Sequence, residues 1–220
     1  AAYIFSDGFE SNDFSVWDGT ASSGSPVVSV VSDVKKQGSY GMKVTNLKST
    51  GYYGRAYKNI GTQTECYARQ YWRIDAVPDG TDKWMVGPTI DSSAGSRKVC
   101  PIWHMDNEKW GIYWEDTEAG YHSDYEAGTS TVNAETWYCV EIYFKKNNPN
   151  SIMKLWIDGS LKLQLTGKSL YEIAYQNLCV GGLTTLADAS SAYRTVWVDC
   201  VVVDDSYIGV ISEEEEKNFY

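Results

Sequence analysis

The sequence lacks several features that would place it at once in a large class of proteins. It has no run of about 18 apolar residues, so no membrane-spanning helix is predicted. It has 19 Lys and Arg against 29 Asp and Glu, and the resulting net charge of −10 argues against nucleic acid or an anionic membrane as a partner. Cys-x-x-Cys pairs, a nucleophile elbow and a Gly-rich phosphate loop are also absent, which argues against the usual zinc sites, serine hydrolases and nucleotide-binding folds.

Cysteine usage leaves two alternatives open. The five cysteines are Cys66, Cys100, Cys139, Cys179 and Cys200. In a secreted chain four of them could form two disulfides and leave one free, whereas the other alternative is five buried thiols. Because strand-like residues begin at position 3, as they would after processing, we expect a secreted, extracellular protein that is a monomer or a module of a larger one.

Aromatic residues are abundant, with 9 Trp and 17 Tyr in 220 residues. Short segments of alternating polarity, separated by turn residues, predict an all-β domain over 1–211, followed by an acidic tail at 212–220. The polar stretch 116–133 is expected to be a long loop, and 168–175 is the one place where a helical turn is expected.

The stretch 135–166 carries the clearest pattern. Alternating apolar residues surround a loop at 145–150, and Asp158-Gly159 lies between the second and third apolar runs. Asp-Gly in that position favours a two-residue hairpin turn. The pattern therefore predicts a three-strand antiparallel meander with one apolar face and one mixed face.

This stretch resembles the laminin-G-like and concanavalin-A-like jelly rolls. The resemblance lies in Trp137, Glu141 and the string from Lys154 to Asp158-Gly159, with further short strings at 5–10, 36–44 and 196–203. It implies a two-sheet antiparallel β-sandwich. The superfamily contains carbohydrate-binding modules, lectin-like domains, glycoside hydrolases and polysaccharide lyases, so the resemblance raises the expectation of glycan recognition and leaves activity open.

The resemblance also implies a structural calcium ion between the first and last strands. The matching positions are Asp7, Glu10 and Asp199. Carboxylates and backbone carbonyls are the oxygen ligands that calcium requires. The alternative is that all three carboxylates are solvated or hydrogen-bonded within turns.

The mixed strand faces predict a concave groove that binds a polysaccharide. Aromatic rings stack on sugar rings, and charged side chains bond to hydroxyl or carboxylate groups. The predicted groove residues are Arg69, Tyr71, Arg73, His104, Tyr113, Glu141, Tyr143, Lys154 and Trp156. The alternative is that this face is a bare outer surface whose aromatic ladder only stabilises the sheet.

Catalysis is the second question. A retaining glycosidase of this superfamily would carry Glu-x-Asp-x-x-Glu on one strand, and no strand here has that spacing. A lyase needs a cation and a proton-transferring Tyr or His, which Arg69, His104 and Tyr113 could supply. The preferred hypothesis is a carbohydrate-binding module without catalysis. The alternatives are a polysaccharide lyase, a glycoside hydrolase, or a protein-interaction domain of the laminin-G type.

Overall fold

A computed structural model describes residues 3–48, 51–77, 83–92, 98–104, 107–116, 120–185 and 193–212. Within these ranges the chain forms strands and no helix. The strands are β1 Phe5–Asp7, β2 Gly19–Ser23, β3 Val27–Val31, β4 Gly41–Leu47, β5 Tyr53–Gln63, β6 Glu65–Ile74, β7 Lys83–Met85, β8 Thr89–Ser92, β9 Lys98–His104, β10 Lys109–Glu115, β11 Tyr121–Tyr125, β12 Tyr138–Lys145, β13 Ser151–Ile157, β14 Ser160–Lys168, β15 Tyr175–Thr185 and β16 Arg194–Asp204.

The strands form two eight-stranded antiparallel sheets. Sheet A has the order β14-β13-β12-β6-β16-β4-β3, with β1 on β16. Sheet B has the order β11-β10-β9-β7-β15-β5-β2, with β8 paired to β15 and β9. The predicted fold class, an all-β two-sheet antiparallel jelly-roll sandwich, is confirmed.

The predicted meander is β12-β13-β14 at one edge of sheet A. Val140 lies opposite Ile157, and Ile142 lies opposite Leu155, as the alternation predicts. The turn residues Asp158 and Gly159 have φ angles of 50° and 76°, so both adopt the left-handed conformation that a type I′ hairpin requires. The Asp-Gly signal is therefore confirmed at the level of backbone geometry.

Inward-facing side chains of both sheets form one hydrophobic core. Trp72 of sheet A contacts Trp110 of sheet B edge to face, with ring centroids 6.3 Å apart and planes at 83°. Trp103 packs on Trp110 at 5.3 Å. Many of the tryptophans therefore stabilise the sandwich interior, where each fully buried large apolar side chain contributes about 1.5–3 kcal/mol.

The cysteines settle the first open alternative. All five lie in described segments, and each is a buried free thiol. The disulfide alternative is therefore wrong. The buried-thiol alternative is confirmed, and the large core supplies the stability that small secreted domains obtain from disulfides.

Two local predictions are also wrong. The polar stretch 116–133 contains β11, which pairs with β10 from Gly111–Tyr125 to Glu115–Tyr121. Residues 169–174 are irregular, with a bend at 172–173, and form no helical turn. The part of the chain that the structure describes contains no helix able to cross a membrane. Of the predicted acidic tail, only Ser212 lies within the described residues.

Candidate functional site

The outer face of sheet B collects the polar side chains that its strands direct away from the core. In β10, Trp110, Ile112 and Trp114 are core residues, so Tyr113 and Glu115 point outward. The same alternation applies to β9 and, through cross-strand pairing, to β11, β8, β15 and β5. We call this surface the sheet B face; its residues are Arg55, Thr89, Asp91, Lys98, Cys100, His104, Tyr113, Glu115, Tyr121, Tyr125 and Cys179.

A small pocket of about 30 Å³ opens on the sheet B face, lined in part by Arg55, Asp91 and Lys98. Arg55 Nη1 lies 3.7 Å from Asp91 Oδ2, and Lys98 is the cross-strand neighbour of Asp91. The Asp91 side chain is buried, and this burial raises its pKa, against the lowering effect of the nearby Lys98 charge. Lys98 forms no ion pair with any residue in the described ranges. Arg55 and Lys98 thus present two cations that can bond to a ligand carboxylate, beside the buried carboxyl groups of Asp91 and Glu115.

Two thiols line the same region without being reactive. Burial raises the pKa of Cys100 to about 11 and that of Cys179 to about 12. The Thr89 hydroxyl donates a hydrogen bond to Cys100 Sγ at 3.0 Å. Because the thiolate is the nucleophilic form, neither cysteine is poised for covalent catalysis at neutral pH.

A tyrosine lies next to the cationic pocket. Tyr113 is the cross-strand partner of Cys100, which places it diagonally across from Lys98. The Tyr113 hydroxyl donates to Glu115 Oε1 at 3.1 Å, and its ring stacks on Tyr121 with centroids 6.1 Å apart. Burial, followed by the Glu115 charge, raises the pKa of Tyr113, so the phenol stays protonated at neutral pH.

His104 lies on the same face but far from Lys98. Its ring packs edge to face on Tyr125 at 5.3 Å. His104 and Lys98 occupy opposite ends of β9, which at about 3.4 Å per residue separates them by about 20 Å. His104 therefore does not belong to the group formed by Tyr113 and the two cations.

The predicted groove residues do not share one surface, which corrects the prediction of a single groove. His104 and Tyr113 lie on the sheet B face. The others project from strands β6, β12 and β13 of sheet A, on the opposite side of the molecule: Arg69, Tyr71, Arg73, Glu141, Tyr143, Lys154 and Trp156. The reason is strand pairing: β10 joins β9 and β11, whereas β6 joins β12 and β16. The predicted lyase group of Arg69, His104 and Tyr113 is divided in the same way.

Much of the outer face of sheet A is covered by residues 205–212, which we call the strap. Glu141 accepts hydrogen bonds from the backbone N–H groups of Ile208 and Gly209 at 2.9 and 2.8 Å. Arg69 Nη1 donates to the Gly209 carbonyl at 2.9 Å, and the Ile211 N–H donates to the Tyr71 hydroxyl at 2.9 Å. Arg69 and Glu141 are fully buried and hold the chain in place, so they are not exposed to a ligand.

The three predicted calcium ligands are engaged separately. Asp7 accepts hydrogen bonds from Trp17 and Phe9, Glu10 from the N–H groups of Ser39 and Tyr40, and Asp199 from those of Lys36 and Gln37.

No group of three metal-ligating side chains is found among the residues with a described position. N–H donors occupy the oxygens that a cation would need, so Asp7, Glu10 and Asp199 do not fit a shared calcium site. Calcium binding stays a prediction.

Asp199 is the most perturbed of the three. It is fully buried on β16, where Cys200 has a φ of 51° and the pairing with β6 shifts register between Asp199 and Val202. This bulge directs the carboxyl towards the N–H groups of residues 36 and 37. Burial raises the pKa of Asp199 to about 7, although backbone hydrogen bonds oppose the shift.

The sequence predictions missed Arg55, Asp91 and Lys98. Alternation along 98–104 puts Lys98 on the same face as His104, so that signal was available. Asp91 follows the apolar Ile90 in the short strand β8, and a strand of four residues gives a weaker signal for which side chains face outward. Nothing local marks Arg55, because its place beside Asp91 depends on the pairing of β5 and β8 with β15.

No family model and no curated protein matches the sequence. Solved structures do match. An endo-β-1,4-glucuronan lyase from the fungus Trichoderma reesei has a TM-score of 0.74 at 16% identity, covering 93% of this chain and 96% of that chain. A cellulose-induced protein has a TM-score of 0.72 at 16% identity, covering 94% and 100%.

An alginate lyase variant with one lysine and one tyrosine replaced by alanine, in complex with an alginate tetrasaccharide, has a TM-score of 0.60 at 15% identity, covering 77% of this chain and 82% of that chain. At such identities the likeness concerns the fold. This chain has the β-sandwich architecture that these polysaccharide lyases share.

Proposed function

We propose that the protein is a polysaccharide lyase that cleaves a uronate polymer by β-elimination on the sheet B face. The observation that carries the proposal is that Arg55 and Lys98 line one pocket next to Tyr113. Lyases with this fold act on glucuronan and alginate, both of which are polymers of uronic acids.

The reaction requires three groups, and the pocket offers one for each. A cation must neutralise the uronate carboxylate so that the adjacent carbon can lose its proton, and the Arg55 guanidinium group suits this role. Lys98 lines the same pocket, and its amine nitrogen would take that proton. Tyr113, whose raised pKa keeps it protonated, would give its proton to the glycosidic oxygen as the carbon–oxygen bond breaks.

The assay is the ultraviolet absorbance of the unsaturated product during incubation with glucuronan, alginate or polygalacturonate. We expect Lys98→Ala and Tyr113→Phe each to lower kcat by about 10²–10⁴-fold, as removal of a general acid or base does. Matched controls are Lys58→Ala, at an ion pair with Asp18 away from the pocket, and Tyr193→Phe, at an exposed tyrosine that directly precedes β16 of sheet A. Both controls should retain activity.

The carbohydrate-binding module remains the second candidate, because a permanently protonated Tyr113 bonded to Glu115 also suits sugar hydroxyl recognition. Retarded migration in uronate-containing gels without any unsaturated product would establish binding without cleavage. That result would refute the lyase proposal. Absence of both activity and retardation would refute the assignment of the sheet B face to uronates.

A further inference from the structure

A second aromatic surface lies on the outer side of sheet A, beside the strap. We call it the sheet A platform; its residues are Tyr67, Tyr143, Lys154, Trp156 and Tyr207. Three of the rings form a triangle, with centroid separations of 6.0 Å for Tyr67–Trp156, 6.2 Å for Tyr67–Tyr207 and 5.2 Å for Trp156–Tyr207. Tyr207 is 46% exposed, and Tyr67 and Trp156 are half-buried, so the triangle is open to solvent.

The platform is held in shape before any ligand arrives. Tyr207 directly precedes Ile208 and Gly209, whose N–H groups are bound by the buried Glu141 carboxylate. Tyr143 is fixed by a 2.7 Å hydrogen bond from its hydroxyl to Glu65. A surface whose side chains are already ordered loses little conformational entropy on binding.

The rim of the platform carries polar groups of both signs. Lys154 lies over the Tyr143 ring and forms no ion pair with any residue that the structure describes. The exposed Gln164 is its cross-strand partner on β14. On the opposite side Asp204 is the cross-strand partner of Tyr67. Donors and acceptors therefore surround the rings.

We propose that the sheet A platform binds an uncharged polysaccharide chain. Aromatic faces accept the C–H faces of sugar rings, and the mixed rim matches hydroxyl groups, which both donate and accept. On the rim the Asp204 carboxylate balances the Lys154 ammonium group, Glu65 is paired with Lys145, and the whole chain has a net charge of −10, so the described rim offers no excess of cations to a polyuronate. The platform and the sheet B face thus differ in the charge of the glycan they accept, and the proposal stands independently of the lyase activity.

The test is affinity electrophoresis of the full chain in native gels containing hydroxyethyl cellulose, galactomannan or alginate. We expect retardation by at least one of the two neutral polymers. Tyr207→Ala should weaken that retardation by about tenfold in apparent affinity, because one stacking ring is removed, whereas Tyr207→Phe should retain it. Lys154→Ala, which removes a rim donor that pairs with no described carboxylate, should weaken it by severalfold without changing the melting temperature.

Arg55→Ala supplies the matched control on the opposite sheet. It should leave retardation by the neutral polymer unchanged while removing any retardation by alginate. Equal retardation of the wild type, Tyr207→Ala and Lys154→Ala, or no retardation by either neutral polymer, would overturn the platform proposal. Neither outcome affects the absorbance assay for the lyase, so the two proposals fail separately.

Discussion

Asp199 makes the stability of the protein depend on pH, with a sign that follows from competition between burial and hydrogen bonding. Its side chain is fully buried, and burial raises its pKa from an ordinary value of 3.8 to about 7. Between these two values the folded protein holds a proton that the unfolded chain has lost. The stability associated with this carboxyl group is therefore complete below pH 3.8 and declines as the pH rises to about 7.

The size of the effect follows from the shift of about three pKa units. Each unit corresponds to about 1.4 kcal/mol, so the difference in unfolding free energy between the wild type and Asp199→Asn should fall by about 4 kcal/mol over this window. Urea unfolding of both proteins at a series of pH values, in the presence of a chelator, measures that difference directly.

The opposite slope would refute the reasoning. If the wild type gains stability relative to Asp199→Asn as the pH rises, the N–H donors of Lys36, Gln37 and Cys200 outweigh burial and the pKa is depressed. Asp13→Asn is the control. Hydrogen bonds from Ser15 lower the pKa of this exposed carboxyl, so its small effect should have the opposite sign.

Two further predictions concern the strap and the predicted calcium ligands. Glu141→Ala should lower the free energy of unfolding by about 3–5 kcal/mol, because the buried Arg69 loses a neighbouring carboxylate and two strap N–H groups lose their acceptor. A loss below about 1 kcal/mol in urea unfolding would contradict this role. A chelator should leave the melting temperature unchanged, because N–H donors already engage Asp7, Glu10 and Asp199. A fall in melting temperature reversed by added calcium would show that the folded protein binds the ion and would contradict this expectation.

The strands and their inward faces could be predicted from alternation alone. Apolar residues in 135–166 and 65–76 face the core as the pattern indicates, and Asp158-Gly159 forms the turn that its chemistry favours. These features depend on residues close together in the sequence. The steric preferences of a left-handed turn and the two-residue period of a strand act locally.

The candidate site could not be predicted in the same way, because alternation does not say which sheet a strand joins. Strands β6 and β10 both present outward aromatic and charged residues, yet one pairs with β12 and the other with β9. Tyr71 and Tyr113 therefore lie on opposite sides of the sandwich. The strap was also missed, since residues 205–212 bind through backbone groups that leave no periodic signal in the sequence.

The strap also acts as a lid over a thiol. Cys139 is almost fully buried, and Ile211 of the strap packs against the hydrophobic cluster that contains Cys139. The Cys139 Sγ atom lies 3.8 Å from the Gly209 carbonyl oxygen of the strap. A reagent can reach this sulfur only when the strap lifts. Where the strap recloses faster than the reagent reacts, the labelling rate of Cys139 reports the equilibrium for local opening. The protein thus contains its own probe for the motion of one segment, distinct from unfolding of the sandwich.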